Sequence, residues 1–198
     1  MAMSFEHLLA LLGFAFVSSI TPGPNNMMLL ASGANFGVRR TLPHMFGISI
    51  GHSVMVVLVG LGLITLFDRF PVLHQVLTVV SVAYLLWLAW KIGTAGEPQA
   101  RSRSKPFSFV QAAAFQWVNP KAWYMALTAI TVYAPGQTIP AVLSVAVVFA
   151  CTNLPSITFW VVLGQQMRRF LTSPLRLRVF NWTMAALLVL SLAPLIWH

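Results

Sequence analysis

The chain has 198 residues, 58% of them apolar and 8% charged, with a mean hydropathy of +0.81. Soluble domains carry about 25% charged residues, so the three acids Glu6, Asp68 and Glu97 are too few to help cover a water-facing globule of this size. The net charge of +9 does not signal nucleic acid, because the cations lie in gaps between long apolar runs rather than on one basic face. The expected class is an all-α polytopic membrane protein. Cys151 is the only cysteine, which excludes an intrachain disulfide, a CxxC redox pair and a thiolate metal cluster. Met1 to Glu6 lacks the basic start of a signal peptide, so the first apolar run is expected to be retained.

A membrane helix needs roughly 20 mostly apolar residues. Six stretches qualify, at about 5–32, 41–66, 71–93, 108–134, 139–165 and 175–197. They are separated by Gly37-Val38-Arg39-Arg40, by Asp68-Arg69-Phe70-Pro71, by Ala134-Pro135-Gly136-Gln137, and by the stretch from Arg168-Arg169 to Ser173-Pro174. A polar, basic linker at 94–107 divides the chain, read as one transmembrane domain over 1–198, into halves of about 1–93 and 108–198. Three spans is an odd number, so two such halves must lie in opposite orientations. The expected architecture is therefore six transmembrane helices arranged as two inverted three-helix repeats.

Short cytoplasmic loops collect Lys and Arg. Of the twelve cations, all but Arg69 and Lys121 fall in the first, third and fifth connections: Arg39 and Arg40; Lys91, Arg101, Arg103 and Lys105; Arg168, Arg169, Arg176 and Arg178. Those connections are expected in the cytoplasm and both termini outside. Trp87, Trp90 and Lys91 fit an interfacial anchor at the inner end of the third span.

The first span of each half is interrupted. In the first half the break is Thr21-Pro22-Gly23-Pro24-Asn25-Asn26, and in the second it is Asn119-Pro120-Lys121. Proline has no N–H and displaces the carbonyl four residues earlier, so Pro22 and Pro24 free the carbonyls of Ser18 and Ile20. The helix is expected to unwind over Thr21 to Pro24 and restart with Asn25 as its cap. Interrupted segments at matching places in two halves point to a transporter's binding site. Exposed N–H groups there attract an anion and exposed carbonyls a cation. A zwitterionic amino acid carries both charges one carbon apart.

Lys121 lies roughly 13 residues from either end of its span, about 20 Å at 1.5 Å per residue, too far to snorkel to an interface. No acid lies deep in any span to pair with it, which leaves two readings: contact with a substrate carboxylate, or a structural tie to freed carbonyls. Asn153 and Pro155 are expected to break the fifth span in the same way. His52, read as the only histidine deep in the membrane, is either a hydrogen-bonded structural residue or, with Lys121, part of a proton relay. Gly47-Ile48-Ser49-Ile50-Gly51 matches the GxSxG pattern of hydrolases. It sits in mid-helix without an orienting acid, so it reads instead as a tightly packed helix face. Asn181-Trp182-Thr183 is a formal glycosylation sequon at the wrong end of a span and is discounted.

The stretch TPGPNNMMLLASGANFGVRRTLPHMFGISIGH resembles the N-terminal signature of the LysE/RhtB exporters, which move amino acids out of bacterial cells. AYLLWLAWKIGTAG and FQWVNPKAWYMALTAITVY carry the resemblance through the second half. It implies a proton-driven exporter of the bacterial cytoplasmic (inner) membrane, working by alternating access. It also places substrate binding on Thr21, Pro22, Gly23, Pro24 and Asn25 and on Asn119, Pro120 and Lys121, to which the residues themselves add Asn26, Asn153 and Pro155. Without an intramembrane acid a basic substrate is disfavoured, and the sequence leans to homoserine/threonine or to cysteine/O-acetylserine. The expected partners are an amino-acid substrate and the lipid bilayer, with no nucleic acid, no cofactor and no metal; a homo-oligomer is compatible. The rival readings are a metal-ion or other small-solute transporter, an intramembrane hydrolase on Ser49 and His52, a scaffold, and uptake in place of export.

Overall fold

The computed structural model describes residues 4–63, 69–95, 105–134, 136 and 138–191. Among them there is no strand, and eight α-helices follow in order: α1 (Phe5–Ile20), α2 (Pro24–Phe36), α3 (Val38–Leu58), α4 (Pro71–Gly93), α5 (Phe109–Phe115), α6 (Pro120–Tyr133), α7 (Ile139–Met167) and α8 (Pro174–Leu190). Wider π-type turns extend α3 through Val59–Leu63, and a 3₁₀ turn over Gln116–Val118 follows α5. Asp68, the linker residues Glu97, Arg101 and Arg103, Pro135, Gln137 and the end of the last span lie outside the described residues.

Local chemistry sets the helix starts. Pro24, Pro71, Pro120 and Pro174 each occupy the first position of a helix, where a missing N–H costs nothing. Ser108 opens α5 with a capping box: its hydroxyl accepts from the Gln111 N–H at 3.2 Å, while the Gln111 side chain accepts from the Ser108 N–H at 3.0 Å. The turn expected over Gly37 to Arg40 narrows to Gly37 alone. Its φ of +78° suits glycine, and α3 begins at Val38, whose N–H donates to Gln165 Oε1 at 2.7 Å. Arg39 and Arg40 thus sit in the first turn of α3.

Three stretches are long and apolar enough to cross a membrane: Val38–Leu63, Gln75–Gly93 and Ile139–Met167. α1 and α2, bent by 56° at their junction, make a fourth when taken together. The six predicted spans are thus represented by three or four. The predicted fourth is divided between α5, the 3₁₀ turn and α6, and the described part of the sixth is the 17 residues of α8. Large apolar side chains line the outside along whole helices, among them Val76, Val79, Val80, Leu86 and Trp90 on α4 and Leu143, Val147 and Phe159 on α7. An outer surface of that kind fits a hydrocarbon solvent.

α7 is the axis of the bundle, packing on α1, α2 and α3. α3 in turn packs on α5, and α4 packs on α8. Glycines set the closest approaches. A Cβ at Gly33 would strike the Val161 carbonyl, and one at Gly164 would strike the Leu30 carbonyl, so α2 and α7 touch backbone to backbone. Gly47 and Gly51 do the same for α3, where a Cβ would strike the Phe109 carbonyl and the Ala113 Cα. The GxSxG run is therefore a helix-packing face. Asn181 is buried and accepts from Asn35 Nδ2 at 3.0 Å, which removes the sequon from any surface.

The expected break at Asn153 and Pro155 is corrected here: α7 runs unbroken from Ile139 to Met167 with Pro155 inside it. A single proline removes one hydrogen bond and bends a helix without unwinding it. Two prolines two residues apart, with a glycine between, remove more than the helix can bridge.

The glycine contacts give a direct expectation for stability. Gly33→Ala and Gly164→Ala should each destabilise the folded protein by about 1–3 kcal/mol, the usual cost of overpacking. Gly13→Ala, where a new Cβ meets nothing within 4 Å, should leave it unchanged or slightly firmer. Thermal unfolding in detergent reads the difference, and equal midpoints for all three would contradict the close approach of α2 and α7.

Candidate functional site

α1 ends at Ile20 with no helical turn to take up its last carbonyls, and Pro22 and Pro24 cannot donate to them. Side chains from three other helices take that role. The Ser18 carbonyl accepts from its own neighbour, Thr21 Oγ1, at 3.0 Å. Asn26 Nδ2, from the first turn of α2, donates to Ser19 at 2.9 Å and Thr21 at 2.7 Å. Trp160 Nε1, from α7, donates to the Ile20 carbonyl at 3.0 Å. Lys121 Nζ, from the first turn of α6, donates to the Thr21 carbonyl at 2.6 Å, Thr21 Oγ1 at 2.9 Å and the Pro22 carbonyl at 3.3 Å. Every carbonyl from Val17 to Gly23 has a partner, the two outer ones through the backbone N–H groups of Thr21 and Met27.

The second break is built differently. Asn119 caps α6, its side chain accepting from the Lys121 N–H at 3.2 Å, with Pro120 at the first helical position. This cap fixes where Lys121 leaves the backbone. Gly23 makes room for the lysine stem, since a Cβ there would lie 2.7 Å from Lys121 Cδ. The restart of α2 departs from expectation, because Gly23 rather than Asn25 is its cap residue. The Asn25 amide is engaged elsewhere. It pairs reciprocally with Gln116, donating at 2.9 Å and accepting at 3.2 Å, and so joins one break to the other.

These residues surround a pocket of about 340 Å³ of empty volume. Gly23, Asn25, Asn26, Asn119 and Lys121 line it, with His52 from α3 and Asn153 from α7. Thr21 and Pro22 contribute through their carbonyls on Lys121. Pro24, Pro120 and Pro155 do not line it; the first two start the helices that do. One wall is apolar, made by Ala122, Met125 and Ile157. His52 is buried, meets the Phe149 ring edge-on at 5.1 Å, and its Nε2 has no hydrogen-bond partner among the described residues. Ser49 does not face it as a nucleophile would: its hydroxyl lies 3.5 Å from the Ala150 carbonyl.

Sequence reasoning missed Gln116 and Trp160. Gln116 is an uncharged polar residue one turn before the second break, fully buried in a predicted span, and that placement was its available signal. Trp160 carried none, because a tryptophan in an apolar run reads as lipid-facing or core. His44 was also passed over; it is as deeply buried as His52.

The chain matches, over residues 9–195, the family described as LysE type translocator. It is 30% identical over 185 residues to the cysteine/O-acetylserine efflux protein of Klebsiella pneumoniae, a match covering 91% of this chain and 92% of that one. Proteins of the same name from Salmonella choleraesuis and Escherichia coli are 29% identical over 158 residues, covering 79% of this chain and 81% of theirs. No solved structure matches the chain. With a match running almost from end to end and apolar helices that suit a bilayer, this chain belongs to the LysE type translocator family and is a multi-pass membrane protein.

Proposed function

We propose that the protein is a proton-coupled exporter of small neutral amino acids, of the cysteine/O-acetylserine kind for which its relatives are named, working by alternating access in a bacterial inner membrane. The observation that carries the reading is the Lys121 ammonium resting on the Thr21 and Pro22 carbonyls, beside the Asn25–Gln116 pair. A zwitterion can exchange with that contact group for group. Its ammonium offers three N–H donors to the carbonyls that Lys121 now holds, and its carboxylate accepts the released lysine. The count of charge-assisted hydrogen bonds is conserved, so loading the site needs no unpaired charge in a low-dielectric setting. The apolar wall of Ala122, Met125 and Ile157 favours a short uncharged side chain.

The packing supports two inverted three-span halves, α1/α2–α3–α4 and α5/α6–α7–α8. The interrupted first span of each half packs on the second helix of the other: α1 and α2 on α7, and α5 on α3, while the third helices α4 and α8 pair together. A two-fold axis in the membrane plane would generate that exchange. Rocking of one half against the other would then expose the pocket alternately to each side. The cation-rich ends face the cytoplasm and the termini face outward. For proton movement the candidates are His52 and Lys121, the two titratable groups lining the pocket.

Efflux from proteoliposomes preloaded with labelled cysteine, O-acetylserine, homoserine, leucine or lysine, with and without an imposed proton gradient, tests the whole reading. Gradient-accelerated release of the small neutral group alone is expected; no release from folded, inserted protein would overturn it. Lys121→Ala should lower efflux at least about a hundredfold, since two or more charge-assisted hydrogen bonds to the substrate are lost. Gly23→Ala should reduce efflux about tenfold and also lower the unfolding midpoint, because the lysine stem must yield and its head group leaves the Pro22 carbonyl without a partner. His52→Gln should export down a concentration gradient while losing acceleration by the proton gradient. Retained acceleration would assign the proton to Lys121.

A further inference from the structure

A second cavity, of about 470 Å³, lies at the cation-rich end of the bundle between α2, α3, α4 and the segment entering α5. Its walls are mainly apolar, with Met28, Leu88, Ile92 and Phe107 prominent. His44 of α3 also lines it, only 1% exposed, with neither ring nitrogen hydrogen-bonded to any described residue. A buried imidazole always carries at least one N–H, and buried donors are rarely left without an acceptor. The Lys91 ammonium stands 5.4 Å from the Phe107 ring centroid and 5.1 Å from that of Trp87. Phe107 also meets the His44 ring, centroid to centroid at 5.3 Å. Lys105 completes the lining. Glu6, the one acid among the described residues, is in the first turn of α1, at the other end of the bundle.

A buried N–H donor, two ammonium groups and apolar walls, with no acid among the described residues that line it, select against a strongly hydrated inorganic anion and in favour of an organic one. We infer that this cavity is a second binding site, specific for a small organic carboxylate, with His44 donating to the carboxylate and Lys91 and Lys105 supplying the charge. A wider hollow of about 760 Å³ of empty volume, flanked by Arg40 and Arg168, shares Asn35, Phe36 and Ala95 with it. α2 connects the cavity to the central pocket. Asn25 lines the pocket, while Met28, Ser32 and Asn35 line the cavity along one stripe of the same helix, about 15 Å from end to end. Resting on the export reading, the ligand is the amino acid held by its carboxylate before it reaches Lys121.

The test uses full-length protein labelled with ¹⁵N-histidine in phosphatidylcholine nanodiscs, with the His44 ring signals assigned through His44→Gln. Propionate and O-acetyl-L-serine are the probes. Both should shift the His44 signals saturably, in the wild type and in Lys121→Ala alike, and Lys91→Met should weaken the apparent affinity about tenfold through loss of one charge-assisted contact. No shift with either probe, or a shift that disappears in Lys121→Ala, would overturn the second site. So would a shift produced by adding phosphatidylglycerol to the nanodiscs that leaves both probes without effect, because the cavity would then belong to a lipid headgroup. If His44 responds to propionate but no amino acid leaves proteoliposomes, the export reading falls and the carboxylate site stands.

Discussion

A helix interrupted inside a membrane leaves carbonyls that hydrocarbon cannot solvate, each costing several kcal/mol if left alone. At the end of α1 that cost is met by Asn26 from α2, Trp160 from α7 and Lys121 from α6, so the break can persist only while those helices are assembled around it. The arrangement reverses the usual relation between core and site. Here the polar centre holds helices together that have little hydrophobic reason to associate once lipid surrounds them. The Asn25–Gln116 pair extends the same logic to the second break, so that the two interruptions form one polar cluster.

Small residues make that convergence reachable. With Gly33 against Val161 and Gly164 against Leu30, α2 and α7 approach closely enough for Trp160, one residue before Val161, to reach the end of α1. Gly47 and Gly51 bring α5 onto α3 and so seat Gln116 opposite Asn25. Only at Gly23 is the missing Cβ a matter of the site itself, because the lysine stem crosses that position.

Much of this was legible in the residues. Two prolines flanking a glycine, with polar neighbours on either side, marked the first break, and Asn-Pro-Lys marked the second along with its one charge. The class of protein followed from composition alone. Legibility failed where the deciding quantity was a contact between distant segments. Asn25 looked like a cap by local rules, but its amide is drawn off by Gln116, a residue 91 positions away, and Gly23 caps by default. Pro155 looked like Pro22. The difference lies in number: one proline costs a single hydrogen bond, whereas Pro22 and Pro24 together with Gly23 leave a stretch that no i−4 ladder can cross. Trp160 gave no local signal, since a tryptophan is an ordinary member of an apolar helix until a neighbour is known, whereas His44 carried the same signal as His52, a histidine inside the second predicted span.

The absence of an acid from the interior of every predicted span has a physical reason in an exchange mechanism. A carboxylate partner would hold the ammonium in a buried ion pair, and separating such a pair costs about 3–5 kcal/mol because each charge is left uncompensated. Carbonyl oxygens hold it by charge-assisted hydrogen bonds worth about 1.5–3 kcal/mol each, and they are neutral when released. The lysine can therefore turn to an incoming carboxylate without leaving a bare anion behind, and the carbonyls it vacates are suited to the substrate's own ammonium. The same reasoning bears on substrate charge. A zwitterion brings no net charge to a site that already holds one cation, whereas a lysine-like side chain would set a second cation beside the first with no acid to offset it. Selectivity for neutral substrates and the ease of exchange at Lys121 are then two consequences of one choice, a cation held by backbone in place of a carboxylate.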